Sequence, residues 1–138
     1  MAYSPSTSAG TILVVEDNAD TREMLVEYLQ FEGLTVQAAP DGATALRLVD
    51  VLRPRVILMD LAMPGLDGLE TTRRLRANAN GRAATIVMAT GRVCEPDRQA
   101  AYRAGCNFFI PKPYNLATLG VLLAGLISAA PHAAGASR

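Results

Sequence analysis

Cysteine, histidine, lysine and long apolar runs are all scarce in this chain of 138 residues, and each scarcity narrows what it can do. The two cysteines, Cys94 and Cys106, show no CxxC spacing, and the chain does not start with a charged segment followed by an apolar one. Both observations lead us to expect a reduced, cytoplasmic setting. The longest weakly polar stretch, Leu116 to Ala130, is shorter than the roughly 20 residues that a bilayer span needs and carries two glycines. It reads as a packed helix, and no membrane insertion is expected. The arginines between Arg73 and Arg103 are scattered over several elements without interleaved aromatics. That is the pattern of a solvated face, so direct DNA binding is not expected.

What is present is balanced in sum and uneven in place. The 13 basic residues cancel the 13 acids, but ten of the acids lie at or before Asp67 and nine of the bases after it. Half of the residues are hydrophobic, which fits one globular domain with a sizeable core. We expect that domain over residues 11–129, between loose tails over 1–10 and 130–138 that are small, polar or Pro/Gly-bearing. Any effector is then another molecule.

Short apolar runs alternate with amphipathic stretches. TILVV precedes Glu16, RVILM precedes Asp60, ATIVMA precedes Thr90 and NFFIP precedes Lys112. Each reads as a buried strand, and a further strand is expected from Leu34 to Ala38. Between strands, Asn18 or Asp20 caps a helix with Met24, Leu25, Tyr28 and Leu29 on one face, ended by Gly33. Asp41 or Gly42 opens a second helix, with Ala45, Leu46 and Val49 inward, closed by Arg53-Pro54. A third runs over about 69–77 and the NANGR segment is a turn. Pro96 suits the first turn of a fourth helix, and a last one starts near Asn115. Five strand–helix repeats predict an α/β fold: a doubly wound, five-stranded parallel sheet in the order 2-1-3-4-5, with five helices on its two faces.

In that order the first and third strands are neighbours at the topological switch point, which brings Glu16, Asp17 and Asp60 together and sets Thr90 and Lys112 beside them. Three crowded carboxylates repel, and a hard divalent cation relieves this. Mg2+ suits the site because it prefers oxygen ligands and is held by one or two carboxylates plus phosphate oxygens. No His or Cys is in the set, so zinc is not expected. Lys112 is the only lysine; every other basic residue is Arg. Its compact ammonium can pair first with a carboxylate and then with a phosphoryl oxygen, a role that a planar guanidinium fills less well. Thr90 adds a hydroxyl donor. The set looks built to hold a phosphoryl group on a carboxylate, with the central Asp60 as nucleophile.

From about residue 11 to 129 the chain resembles a response-regulator receiver domain of two-component signalling. VVEDN, MDLAMPGLDG, MATG and FIPKP stand, in order and spacing, where that family has its hallmarks. The resemblance implies a flavodoxin-like receiver fold and a stand-alone switch. It implies that Glu16, Asp17, Asp60 and the backbone carbonyl of Ala62 bind Mg2+. Asp60 then accepts phosphate from a histidine kinase or histidine phosphotransfer protein, and Thr90 and Lys112 contact the phosphoryl group. Phe109, three residues before Lys112, matches the aromatic that turns inward as Thr90 moves, and Lys112-Pro113 matches a bond often cis in the family. A change of affinity for a separate downstream protein is expected, not an enzyme with multiple turnover. His132, the one histidine, lies in an alanine-rich tail, so the chain is not expected to be its own phosphohistidine donor.

Some positions set this chain apart. Ala62 and Arg92 stand two residues after Asp60 and Thr90. Ala62 cannot orient a water through its side chain and Arg92 can reach the phosphoryl group, so slow self-dephosphorylation is expected. A small phosphatase or phosphotransferase with an Asp nucleophile is the alternative from another class, but such enzymes commonly use a second acid where Ala62 stands. An FMN carrier is disfavoured by the acids and by the lack of a glycine loop after the first strand. A phosphorelay intermediate and a phosphate sink remain open. In the last helix Leu116, Leu119, Leu122, Leu123, Leu126 and Ile127 form the core stripe, and the opposite face (Ala117, Gly120, Val121, Ala124, Gly125, Ser128) has no charge. That face, with the fourth helix, is expected to meet a partner or a second copy of the chain. Cys94, in the loop after Thr90, is the thiol expected to be exposed.

Overall fold

Strand β1 (Ile12–Val15) is apolar and buried at every position because both faces of the sheet are covered by helices. The computed structural model describes residues 10–91 and 94–129; the segments 1–9 and 130–138 of the expected tails, Arg92 and His132 lie outside the described residues. After β1 come α1 (Ala19–Phe31), β2 (Val36–Ala39), α2 (Gly42–Leu52), β3 (Val56–Asp60) and α3 (Gly68–Ala77). The short α4 (Ala79–Arg82), β4 (Thr85–Thr90), α5 (Glu95–Ala104), β5 (Phe108–Pro111) and α6 (Leu116–Ser128) follow. All strands are parallel, in the order β2-β1-β3-β4-β5, as the sequence predicts.

Alternation along each strand divides the core in two. Leu13, Ile57 and Met88 face α2, α3 and α5, whereas Val14, Leu58 and Val87 face α1 and α6. Helices begin close to the strand ends because short polar caps catch their first free N–H groups. Asn18, Asp41, Asp67 and Asn115 accept from Thr21, Thr44, Glu70 and Thr118. Polar loops are thereby gathered at the C-terminal ends of the parallel strands.

Four details differ from the sequence reading. Among the described residues there are six helices, not five, because Asn78 caps a four-residue helix within NANGR. The amides of Asn78 and Asn80 both donate to Asp50 of α2 at 3.1 Å, a long-range tie that fixes this segment. Strand β2 begins at Val36 because Leu34 still donates its N–H to Leu29 at the end of α1. Met24 is 44% exposed; Leu25 and Leu29 take the core positions of α1. Gly120 is buried, not outward, since an added Cβ would meet the Tyr28 ring at 3.3 Å. Cys94 is exposed and Cys106 buried. Among the described residues, no helix is long and apolar enough to cross a membrane.

Candidate active site

The acids stand where β1 and β3 end side by side. Glu16 follows β1 directly, and its N–H still donates to Ala39 of β2 at 3.1 Å, so the residue is held in the sheet while its side chain reaches the crevice. Its Oε2 accepts the Asn18 N–H at 3.0 Å. Asp17, the next residue, is exposed. Asp60 is the last residue of β3, paired with Ala89 and buried. One carboxylate oxygen from each of Glu16, Asp17 and Asp60 lies within 4.8 Å of the others.

Thr90 is the last residue of β4, and Lys112, just after β5, reaches the acids. Thr90 is buried, and its carbonyl accepts the Lys112 N–H at 2.7 Å, which ties the two residues together. The Lys112 ammonium bridges the acids, with Nζ 3.4 Å from Glu16 Oε1 and 3.4 Å from Asp60 Oδ1. The Lys112–Pro113 peptide bond is cis.

Charge decides what the crevice can hold. Burial raises the Asp60 carboxyl above its ordinary range and Glu16 adds to this, while Lys112 and the backbone amide of Ala62 pull the other way. Burial works to lower the Lys112 ammonium, but the carboxylates of Asp60 and Glu16 outweigh it and hold its pKa up. Among the described residues, three carboxylates against one ammonium leave an excess of two negative charges, which a divalent cation balances. The donors are all oxygen, the set that Mg2+ takes, with no nitrogen or thiolate to favour zinc. Ala62, also expected at the metal, is exposed and lines a pocket beside Met63, Asp67 and Asp97 that includes none of the three acids.

Phe109 sits apart from these polar groups. It is paired with Met88 and half-buried against the α5 side of the core. Its ring centroid is 6.5 Å from that of Tyr102, which in turn lies under the Arg98 guanidinium at 5.3 Å. Two further residues shape the site and were not singled out from sequence. Gly68, the first residue of α3, packs so closely behind Asp60 that a Cβ would lie 2.5 Å from the Asp60 carbonyl oxygen. The signal available was a glycine directly after the cap Asp67. Arg22 of α1 donates to the carbonyls of Glu16 at 2.9 Å and Asp17 at 3.4 Å, contacts that no local pattern announces.

This acid cluster, bridged by a lysine at the switch point of a 2-1-3-4-5 sheet, accompanies a match of residues 12–124 to the response regulator receiver domain. The chain belongs to that family. This receiver is 40% identical over 102 residues to an uncharacterized 14.6 kDa protein in the sodA1 3' region of Leptolyngbya boryana, covering 74% of this chain and 78% of that protein. It is 41% identical over 108 residues to the response regulator MprA of Mycobacterium ulcerans, covering 78% of this chain and 46% of MprA. The receiver thus spans about half the length of that relative. In shape it is similar to the chemotaxis protein CheY4 of Vibrio cholerae, with a TM-score of 0.80, 29% identity and coverage of 85% of this chain and 98% of that one. The receiver domain of the sensor histidine kinase PA1611 from Pseudomonas aeruginosa PAO1 gives a TM-score of 0.79, 35% identity and coverage of 87% and 98%. That domain was solved with a magnesium ion coordinated in its active site cleft.

Proposed function

We propose that this receiver accepts a phosphoryl group on Asp60, in a Mg2+-dependent reaction, from the phosphohistidine of a kinase or phosphotransfer protein, and that this changes its affinity for a separate partner. The observation that carries the reading is the Lys112 ammonium, equally 3.4 Å from Glu16 and Asp60, placed to exchange one carboxylate for a phosphoryl oxygen. The magnesium ion in the PA1611 receiver supports the choice of cation by likeness.

The steps follow from the residues present. An Asp60 carboxylate oxygen attacks phosphorus; an O–P bond forms as the P–N bond to the donor imidazole breaks, and the imidazole leaves with the electron pair. Glu16, Asp17, Asp60 and the carbonyl of Ala62 would hold Mg2+, which would neutralise charge on the phosphoryl oxygens. Lys112 trades its contact with Asp60 for a phosphoryl oxygen and keeps Glu16, while the Thr90 hydroxyl donates to another. Because the Lys112 N–H is bonded to the Thr90 carbonyl, the ends of β4 and β5 respond as one. Phe109 then turns inward and leaves Tyr102.

The receiver works as a switch and not as a multiple-turnover enzyme, since Ala62 offers no acid to assist repeated hydrolysis. The partner reads the side formed by α5, the edge strand β5 and α6. There Tyr102 is 40% exposed, Phe108 38% and Val121 75%, and α6 carries no charge. Size-exclusion with light scattering, before and after phosphorylation, tells whether that partner is a second copy. For the acceptor itself, Asp60→Asn abolishes acid-labile label from a small phosphodonor with Mg2+; persistent labelling of the Asn variant overturns the assignment.

A further inference from the structure

We propose that Arg22 is a positioning residue for the metal-binding acid loop: its guanidinium fixes the peptide groups of Glu16 and Asp17 and so the aim of their carboxylates. The proposal rests on reading Glu16, Asp17 and Asp60 as a Mg2+ site.

Arg22 stands near the start of α1, with its own N–H bonded to the Asn18 carbonyl at 2.9 Å. A cation at the N-terminal end of a helix opposes the helix dipole, so α1 gains nothing from that charge. Among the described residues Arg22 forms no ion pair. Its side chain folds back over the helix start instead, and Nη1 donates to the Glu16 carbonyl at 2.9 Å and, more loosely, to the Asp17 carbonyl at 3.4 Å. Glu16 is fixed several times over, through its N–H to Ala39, its Oε2 from Asn18 and its Oε1 beside Lys112. Asp17 is exposed, and Arg22 is what holds its backbone carbonyl. Two adjacent carboxylates with a third nearby tend to splay, and a restraint on the carbonyl side of the loop opposes this without occupying the crevice.

Charge and position make opposite predictions here. If Arg22 acted through charge alone, removing it would tighten Mg2+ binding, because a positive group near the cation would be gone. If it acts by position, removing it weakens binding. Loss of hydrogen bonds from a charged donor, partly replaced by water at this half-buried position, corresponds to about tenfold in affinity, or about 1.4 kcal/mol.

The test is a calorimetric titration of the full chain with MgCl2 at constant ionic strength, with no phosphodonor present. Arg22→Met is expected to bind Mg2+ about tenfold more weakly than wild type and Arg22→Lys, which keeps the charge with shorter reach, to fall between them. Melting without Mg2+ is expected to stay within a few degrees of wild type. An Arg22→Met variant that binds Mg2+ equally or more tightly, while wild type binds, overturns the positioning role and leaves the metal site intact. A wild type that takes up no Mg2+ overturns both. Should Arg22→Met fail to fold, Arg22→Lys decides, and an affinity equal to wild type contradicts the proposal.

Discussion

Replacing Asp60 by Asn is expected to make the metal-free receiver more stable near neutral pH. Asp60 is only 8% exposed, and burial first, then Glu16, hold its carboxyl above the ordinary range against the pull of Lys112 and the Ala62 amide. The folded chain therefore binds a proton at Asp60 more readily than the unfolded chain does. Stability falls as pH rises from the ordinary carboxylate value of about 4 through the raised one. Unit charges 4.8 Å apart, the limit for these oxygens, repel by about 0.9 kcal/mol in water and about 3.5 kcal/mol at the effective dielectric of a partly buried site. Lys112, 3.4 Å from Asp60, offsets part of this, and the Asn variant forgoes that attraction. A net gain of about 1 kcal/mol is expected, or roughly 3–5 °C in melting temperature for a domain of this size. Scanning calorimetry in EDTA at neutral pH, repeated at about pH 4, reads it; the advantage of Asn shrinks in acid as wild-type Asp60 takes up its proton. Added Mg2+ stabilises wild type more than the variant and closes the gap. An Asn variant that melts at or below wild type in EDTA at neutral pH refutes the reasoning, because Lys112 would then outweigh burial and repulsion.

Other consequences concern the scaffold. Gly68→Ala puts a Cβ 2.5 Å from the Asp60 carbonyl oxygen, so α3 must move away from the acceptor. We expect roughly 1–3 kcal/mol of lost stability in urea and slower phosphorylation; an unchanged midpoint contradicts this. Thr72 is fully buried and its hydroxyl has no hydrogen-bond partner among the described residues. Thr72→Val is therefore expected to raise stability by about 1 kcal/mol in a urea melt, and a lowered midpoint would show that the hydroxyl is satisfied after all.

The sheet and most of the crevice were legible because β1, β3, β4 and β5 are short apolar runs that stop at a polar residue. Glu16, Asp60, Thr90 and Lys112 could be placed from that alone, given the strand order. Helix starts were legible to within two residues: of the alternatives Asn18 or Asp20 and Asp41 or Gly42, the caps are Asn18 and Asp41, and Asn115 caps the last helix. What escaped depends on partners distant in sequence. NANGR becomes helical through Asp50, 28 and 30 residues away from the asparagines it accepts from. Gly120 lies inward because Tyr28 of α1 covers it. Arg76, one of several arginines that read as a solvated face, is half-buried and donates to the carbonyls of Gly81, Ala84 and Gly105 and to Asn107, joining α3 to the far end of the sheet. Composition shows how many cations a chain has; only the fold shows which carbonyls they find.

Whether Asp60 carries the phosphoryl group is read most plainly by chemical trapping. Wild-type protein is treated with a small phosphodonor and Mg2+, then with borohydride, which reduces an acyl phosphate on aspartate to homoserine, and position 60 is sequenced by mass spectrometry. Homoserine is expected at position 60, dependent on Mg2+ and lost when EDTA is added. Homoserine at position 17, or phosphate recovered on His132 with Asp60 unchanged, would contradict it.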